Sequence, residues 1–220
     1  MTAKKSLTVD VVSDVVCPWC YIGKRRLENA LAEIADVDVT VRWSPYFLNP
    51  WVPREGISRE QYLTTKFGSV AAYDDIAKRV VAAAASEGLE YNPAKVKRQP
   101  NTVDCHRLIH WAEASGKSAA VKQRLMELYF RDGGDLTSRD VLVQAAADCG
   151  LDAETIRQRL GTDEDVDLVS AEAQSAANAG VNGVPTFILG GKYGISGAQP
   201  ADQLAAAIRQ VAAELAGQAA

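Results

Sequence analysis

A strand, a helix and a second strand are predicted in the first 43 residues, and this unit constrains the fold more than any other feature. Apolar and polar residues alternate at 7–11 and again at 37–43, which is the period-two pattern of half-buried strands. Between them, apolar residues at 27–34 recur three and four apart and predict an amphipathic helix that begins near Pro18. Parallel strands joined by one helix are expected to cross over right-handedly.

The strand pattern returns near the other end of the sequence. Residues 186–189 are β-branched and apolar, and Gly190 and Gly191 after them form a two-residue hairpin signal. Residues 193–196 can form the returning strand, and a last helix is predicted at 201–215. This part therefore reads as a β-hairpin followed by a helix.

The residues between these two parts are helical in pattern. Ser58 has capping-box spacing to a glutamine, and glycines end several of the helical segments, with a loop predicted at 131–135. Neither strand-forming part could bury a sheet alone. We therefore predict one α/β domain formed by residues 1–55 and 162–220, interrupted by a large all-helical insertion domain at 56–161.

Composition excludes several classes of protein. With 47% hydrophobic and 24% charged residues in 220, the chain can bury a sizeable core, so disorder is not expected. A net charge of -4 lacks the basic field of a nucleic-acid binder, so no nucleic-acid partner is predicted. Four cysteines are too few for a disulfide-stapled scaffold.

No secretory signal is predicted, because the stretch at 6–16 that follows two lysines is interrupted by Asp10 and Asp14. No apolar run approaches the roughly 18 residues that cross a bilayer. We therefore expect a cytoplasmic protein with no membrane partner. Structural disulfides are rare in that compartment, so a Cys-x-x-Cys sequence there favours redox or metal chemistry.

Cys17 and Cys20 form such a pair, and Cys17 falls at the predicted start of the first helix. Free backbone N–H groups and the helix dipole there favour a thiolate, which makes Cys17 the attacking sulfur. Cys20, one turn further, is placed to resolve a mixed disulfide. The alternative is half of a zinc site, which needs two more ligands. The candidate ligands are Cys105, His106, His110 and Cys149.

The sequence resembles the DsbA-like thiol oxidoreductases of the FrnE type. The resemblance is carried by the active-site segment at 14–24, by the Gly-Val-Pro-Thr-Phe loop at 183–187, by a helical segment at 101–108 and by Gly-Ala-Gln at 197–199. It spans nearly the whole chain. It implies a thioredoxin fold (βαβ…αββα) with a helical insertion, and relatives that include 2-hydroxychromene-2-carboxylate isomerase and the kappa-class glutathione transferases.

The resemblance also implies a cis bond between Val184 and Pro185. The exposed backbone of Val184 could then pair with an extended substrate beside Cys17, so Val184 and Pro185, together with Pro18 and Trp19, are the predicted substrate-binding residues. From the spacing alone, an ordinary proline at the start of a strand is the simpler interpretation of Pro185, and the resemblance reverses it.

Two departures from the superfamily pattern affect the expected chemistry. Trp19 stands where the periplasmic enzymes have His, so one hydrogen-bond donor to the thiolate is missing and a weaker oxidant is expected. Val11 stands where a buried carboxylate is common. Asp14 is the nearer acid, and it could serve as a turn residue or as a proton relay.

The remaining candidates have packing as their simplest interpretation. Cys105 and Cys149 are expected to be small apolar residues, with a second redox role for Cys105 as the alternative. The histidines at 106 and 110 are expected at the surface or packed inside. Four aromatic residues follow the second strand and could pack between the domains or line an apolar substrate groove with Trp19. They are Trp43, Tyr46, Phe47 and Trp51.

We therefore predict a thiol-disulfide oxidoreductase, acting as an oxidant, a reductant or an isomerase on protein, peptide or small-molecule disulfides. No bound cofactor or metal is expected beyond the redox-active Cys17–Cys20 disulfide, with glutathione as a candidate co-substrate. A monomer or homodimer is expected. The alternatives are a glutathione-dependent isomerase or transferase and a non-catalytic binding module that uses the groove to recognise a partner, with or without zinc.

Overall fold

The computed structural model describes residues 4–218, so the ends of the predicted domains at residues 1 and 220 lie outside it. The strands are β1 (Lys5–Ser13), β2 (Val37–Pro45), β3 (Ile57–Ser58), β4 (Arg98–Gln99), β5 (Thr186–Leu189) and β6 (Tyr193–Ser196). The helices are α1 (Pro18–Ala32), α2 (Arg59–Phe67), α3 (Val70–Ser86), α4 (Val103–Glu113), α5 (Ser118–Glu127), α6 (Arg139–Asp148), α7 (Ala153–Leu160), α8 (Val166–Asn178) and α9 (Ala201–Gln218). A 3₁₀ turn spans Pro93–Lys95, and a π-helical turn spans Leu128–Asp132.

Four strands form one mixed sheet in the order β2-β1-β5-β6. β1 runs parallel to β2, while β5 is antiparallel to both β1 and β6. The predicted β-α-β unit, hairpin and last helix are confirmed, although α9 continues to Gln218. This is the thioredoxin fold that the resemblance implies.

The apolar face of the sheet packs against α1 and α9. Alternate residues of β1 and β5 form this core with helix residues such as Leu27 and Ile208, because side chains of a strand alternate between the two faces. The sheet residues are Leu7, Val9, Val11, Phe187 and Leu189. Helix α8 lies against β2.

The helical part builds a second apolar core from α3 to α7, and α2 packs with β3 and the first half of α3 in a smaller third cluster. The prediction of an all-helical insertion misses one detail, because β3 and β4 form a short antiparallel ladder inside it. The predicted loop at 131–135 is also shorter, since the π-helical turn continues through Asp132. In the part of the chain that the structure describes, no helix is long and apolar enough to cross a membrane.

The junction between β1 and α1 is held between the two parts. The buried cluster that includes the inner faces of α4 and α5 also contains Val15, Val16, Cys17, Cys20, Tyr21 and Ile22. On the other side, Gly23 lets Pro185 approach closely, because a Cβ at Gly23 would lie 2.8 Å from the Pro185 ring. Arg26 of α1 donates to the carbonyl of Ala198 at 2.6 Å, which ties the Gly-Ala-Gln segment to the same helix.

Candidate active site

Cys17 is the N-cap residue of α1, as predicted. Its backbone is extended (φ -88°, ψ 115°), and its carbonyl accepts hydrogen bonds from the N–H groups of Cys20 and Tyr21 at 3.0 and 3.2 Å. Pro18 occupies the first helical turn, where a missing N–H costs nothing. Both thiols are free, and Cys20 lies on the buried side of the first turn.

The Val184–Pro185 peptide bond is cis and lies directly beside Cys17. Cys17 Sγ is 3.6 Å from the carbonyl oxygen of Val184, close enough for a thiol hydrogen bond. Pro185 is buried, Val184 is half-buried and Trp19 is 41% exposed. We call Cys17, Trp19, Val184 and Pro185 the rim of the site.

The two thiols have opposite electrostatic surroundings. A hydrogen bond from the Cys20 side chain lowers the pKa of Cys17, and this outweighs the burial that would raise it. The backbone N–H groups at the helix start act in the same direction, as expected at an N-terminus. Burial raises the pKa of Cys20 well above the usual thiol value. The geometry therefore favours a thiolate on Cys17 and a protonated Cys20.

Asp14, which follows the end of β1, is buried and connects three segments of the chain. Its Oδ2 accepts the backbone N–H of Leu48 at 2.8 Å, and its Oδ1 lies 3.3 Å from His106 Nε2. Burial lowers the pKa of His106, so the imidazole is neutral near pH 7. Asp14 thus holds the chain after β2, and His106 is packed inside.

Lys122 of α5 is the residue that sequence reasoning missed. Its side chain is 1% exposed, and its Nζ lies 5.3 Å from the centre of the Trp43 ring. Burial lowers its pKa to about 8, while the nearby Cys20 and Asp14 oppose that change. One signal was present in the sequence, because Lys122 falls within the apolar stripe of α5 beside Val121. We call Cys20, Asp14, His106 and Lys122 the floor of the site.

The other sequence candidates are scattered. Cys105 is completely buried, as expected of a packed apolar residue. Cys149, at the end of α6, is only half-buried, although it packs against the same core. His110 is half-buried on α4. Among the residues that the structure describes, no three His, Cys, Asp or Glu side chains are grouped as metal ligands.

The four aromatic residues after β2 do not form one cluster. Trp43 packs against both apolar cores, which is the packing role expected of it. Phe47 tilts against the ring of His106. Trp51 is 46% exposed and stacks on Tyr62 of α2, with ring centres 6.0 Å apart.

Residues 8–209 match the family model of the DSBA-like thioredoxin domain. Among solved structures, the chain is similar to a probable DsbA oxidoreductase from Streptomyces coelicolor, with 35% sequence identity and a TM-score of 0.83. That similarity covers 93% of this chain and 89% of the other.

Two more distant structures share the fold. The 2-hydroxychromene-2-carboxylate isomerase is 16% identical with a TM-score of 0.70, over 96% of this chain and 98% of that one. The cytosolic disulfide reductase DsbM from Pseudomonas aeruginosa, solved with glutathione, is 20% identical with a TM-score of 0.58, over the same shares.

Proposed function

Because the chain belongs to the DSBA-like thioredoxin domain family, we propose that it is a thiol-disulfide oxidoreductase in which Cys17 is the nucleophile and Cys20 the resolving thiol. The observation that carries this proposal is the asymmetry of the pair. Cys17 caps α1 with its pKa lowered, whereas Cys20 lies buried one turn away with its pKa raised. Only the first thiol is prepared to attack a substrate.

In the reductive direction, the Cys17 thiolate attacks one sulfur of a substrate disulfide. A mixed disulfide forms, and one substrate thiolate leaves. Cys20 then gives up its proton and attacks the Cys17 sulfur, which releases the second substrate thiolate and leaves a Cys17–Cys20 disulfide. The substrate gains two electrons and the protein dithiol loses two. The oxidative direction is the reverse of these steps.

The rim supplies the contacts for an extended substrate. The Val184 carbonyl oxygen lies next to Cys17 Sγ, and a backbone at this position can pair with a peptide as an added strand. The exposed indole of Trp19 offers an apolar surface on the other side of the thiol. This favours protein or peptide disulfides as substrates, with Pro185 and Pro18 shaping the backbone on either side.

Glutathione is the proposed co-substrate that returns the Cys17–Cys20 disulfide to the dithiol. Two glutathione molecules supply the two electrons and leave as glutathione disulfide. The structural likeness to DsbM, a cytosolic disulfide reductase solved with glutathione, agrees with this choice and with a cytoplasmic location.

The test compares wild-type protein with Cys17→Ser and with the control Cys149→Ser, using reduction of insulin disulfides by glutathione. We expect the control to keep wild-type turnover and Cys17→Ser to fall to the uncatalysed rate. Equal rates for Cys17→Ser and wild type would overturn the proposal. Equilibration in glutathione buffers then gives the reduction potential and hence the direction of electron flow.

The isomerase relative gives the second candidate, a glutathione-dependent isomerase on the same fold. In those relatives a serine usually takes the place of the first cysteine, so the intact pair argues against it. Saturable glutathione binding with turnover of 2-hydroxychromene-2-carboxylate by Cys20→Ala would favour the isomerase instead.

A further inference from the structure

A cleft of about 820 Å³ lies against the edge strand β2, between it and helices α4, α5 and α8. Sites for small organic molecules in proteins have volumes of about 300–1,000 Å³. The described residues that line the cleft include none of the four rim residues and neither reactive thiol. The cleft is therefore separate from the groove in which a disulfide substrate would lie.

Lys122 lines this cleft although its side chain is almost fully buried. Within residues 4–218, its ammonium group has no hydrogen-bond acceptor, and its close contact is the ring of Trp43. Taking an ammonium group out of water costs several kcal/mol unless a partner compensates. A buried cation that faces a cleft without an acceptor points to an anion that enters from outside.

Lys24 gives an internal comparison. It is equally buried, and its Nζ lies 5.8 Å from the centre of the same Trp43 ring. Lys24, however, pairs with Glu28 and donates a hydrogen bond to Gln123 at 2.9 Å. Within the described residues, the fold therefore provides hydrogen-bond acceptors for the ammonium group of Lys24 but none for that of Lys122.

The walls of the cleft limit the kind of anion. Apart from Lys122 and His106, the less exposed part of the walls is mainly apolar or aromatic, and it includes Val12, Trp43, Ile109, Val169 and Ile188. Charged residues are placed further out. Arg42 is engaged by Asp10 through two hydrogen bonds of 2.6 and 3.0 Å, while Glu113 and Glu172 are exposed. Two exposed acids would repel a phosphate or another multiply charged ligand.

We propose that this cleft binds a small organic monoanion, with its carboxylate at Lys122 and an apolar or aromatic body against Trp43. A single carboxylate supplies the acceptor that the ammonium group lacks, and its charge-assisted hydrogen bond strengthens in a buried site. The apolar walls gain from covering the rest of the molecule. The site lies behind the floor, so its ligand contacts neither Cys17 nor a substrate disulfide.

The experiment uses three naphthalene probes of similar size and opposite or no charge: naphthalene-2-carboxylate, its neutral carboxamide, and the cationic 2-naphthylmethylamine. Binding is measured by titration calorimetry and located by amide chemical shifts in two-dimensional NMR. We expect the carboxylate to bind wild-type protein about tenfold or more tightly than the carboxamide, because a hydrogen bond to a charged group is lost in the latter. The amine should bind weakest of the three.

Two lysine variants then test whether Lys122 binds the carboxylate. Lys122→Met should remove the preference for the carboxylate, and the matched control Lys24→Met should retain it. Ala119→Trp, which fills the cleft from the exposed side of α5 and keeps Lys122, should weaken binding of all three probes. That variant keeps the test decisive if Lys122→Met does not fold.

The proposal is overturned if the carboxylate and the carboxamide bind wild-type protein equally. It is also overturned if folded Lys122→Met keeps the preference, or if the shifted amides surround the rim and not β2. Alkylation of Cys17 with iodoacetamide should leave carboxylate binding unchanged. Loss of binding after alkylation would instead assign the probe to the disulfide groove.

Discussion

The rim and the floor of the site differ in the kinds of groups that form them, although Cys17 of the rim and Cys20 of the floor lie one helical turn apart. The rim consists of backbone and an exposed indole around Cys17, with the Val184 carbonyl 3.6 Å from the sulfur. The floor consists of buried side chains that can gain or lose protons: Cys20, Asp14, His106 and Lys122. Of these two regions, only the rim includes an exposed side chain, that of Trp19.

The two regions correspond to two different requirements of the proposed disulfide exchange. In the proposed reaction the first step needs a thiolate and a surface for the substrate, and the rim offers the lowered pKa of Cys17 and the exposed indole of Trp19. The second step needs a thiol that stays protonated until the mixed disulfide forms, and burial keeps Cys20 in that state.

Replacing the floor thiol should have the largest effect. In Cys20→Ser the first attack remains, but the protein has no second thiol beside Cys17 and release depends on the slower attack of glutathione from solution, so turnover with an insulin substrate should fall at least about 100-fold. A mixed disulfide with Cys17 should accumulate and be visible by intact-mass spectrometry without reducing agent. Cys149→Ser, matched in chemistry but remote from the site, should show neither change. Wild-type turnover in Cys20→Ser would mean that the floor plays no part in resolution.

The contact between rim and α1 should be the next most sensitive. A Cβ at Gly23 would lie 2.8 Å from Cγ of Pro185 and 3.4 Å from the Phe187 ring, so Gly23→Ala must displace the loop that carries Val184. We expect a loss of about 2 kcal/mol in the free energy of unfolding, as in overpacked cores. Denaturation by urea measures this loss.

Gly217→Ala in α9 is the matched control, because a Cβ at Gly217 would meet nothing within 4 Å. Alanine is preferred over glycine in a helix, so this change should stabilise the protein by roughly 0.5 kcal/mol. If both alanine variants raise stability, the close approach of Pro185 to α1 is not required.

The rim and Cys20 were largely predictable from the sequence, whereas the grouping of Asp14, His106 and Lys122 near Cys20 was not. Local signals place the rim: an alternating strand, Pro18 in the first helical turn and a Cys-x-x-Cys across the junction. The resemblance adds the Val184–Pro185 loop. Each of these signals lies within a short stretch of sequence, where period and capping rules apply.

The floor is formed by pairs of residues that are distant in sequence. Asp14 and His106 are 92 positions apart, and no periodic pattern relates β1 to α4. The buried position of Lys122 is harder still to predict, because a lysine is normally assigned to the exposed side of a helix. The apolar stripe of α5 places it inside, but only the packing of α5 beside α1 shows what it faces.

The buried charge of the floor should cost stability. Lys122 has an ordinary pKa of 10.5 when unfolded and about 8 when folded, so its protonated form opposes folding. The penalty is complete below pH 8 and disappears as pH rises above 10.5, where both states are neutral. At pH 7, Lys122→Met should therefore raise the free energy of unfolding by roughly 1–2 kcal/mol.

Urea denaturation of wild type and Lys122→Met at pH 7 and pH 10 tests this sign. The gain should be smaller at pH 10, where the unfolded state is the one that still binds the proton. Lys24→Met serves as the control, and it should lose stability because its partners Glu28 and Gln123 remain. A destabilised Lys122→Met at pH 7 would show that the charge is compensated inside the protein.

The smallest expected effect is that of the Cys20 side chain, in the floor, on the pKa of Cys17 in the rim. The hydrogen bond from the Cys20 side chain is the main cause that lowers the pKa of Cys17. Serine at position 20 keeps a donor and alanine removes it, although both prevent resolution. We expect the pKa of Cys17 to be higher in Cys20→Ala than in Cys20→Ser, because only the serine keeps a donor beside the thiolate. The rate of alkylation by iodoacetamide as a function of pH gives both values. Because Asp14 raises the pKa of Cys17 through its charge, Asp14→Asn in the Cys20→Ser background should move the profile in the opposite direction, to lower pH. Identical profiles for the serine and alanine variants would mean that the helix start alone sets the thiolate, and that the rim functions independently of the floor.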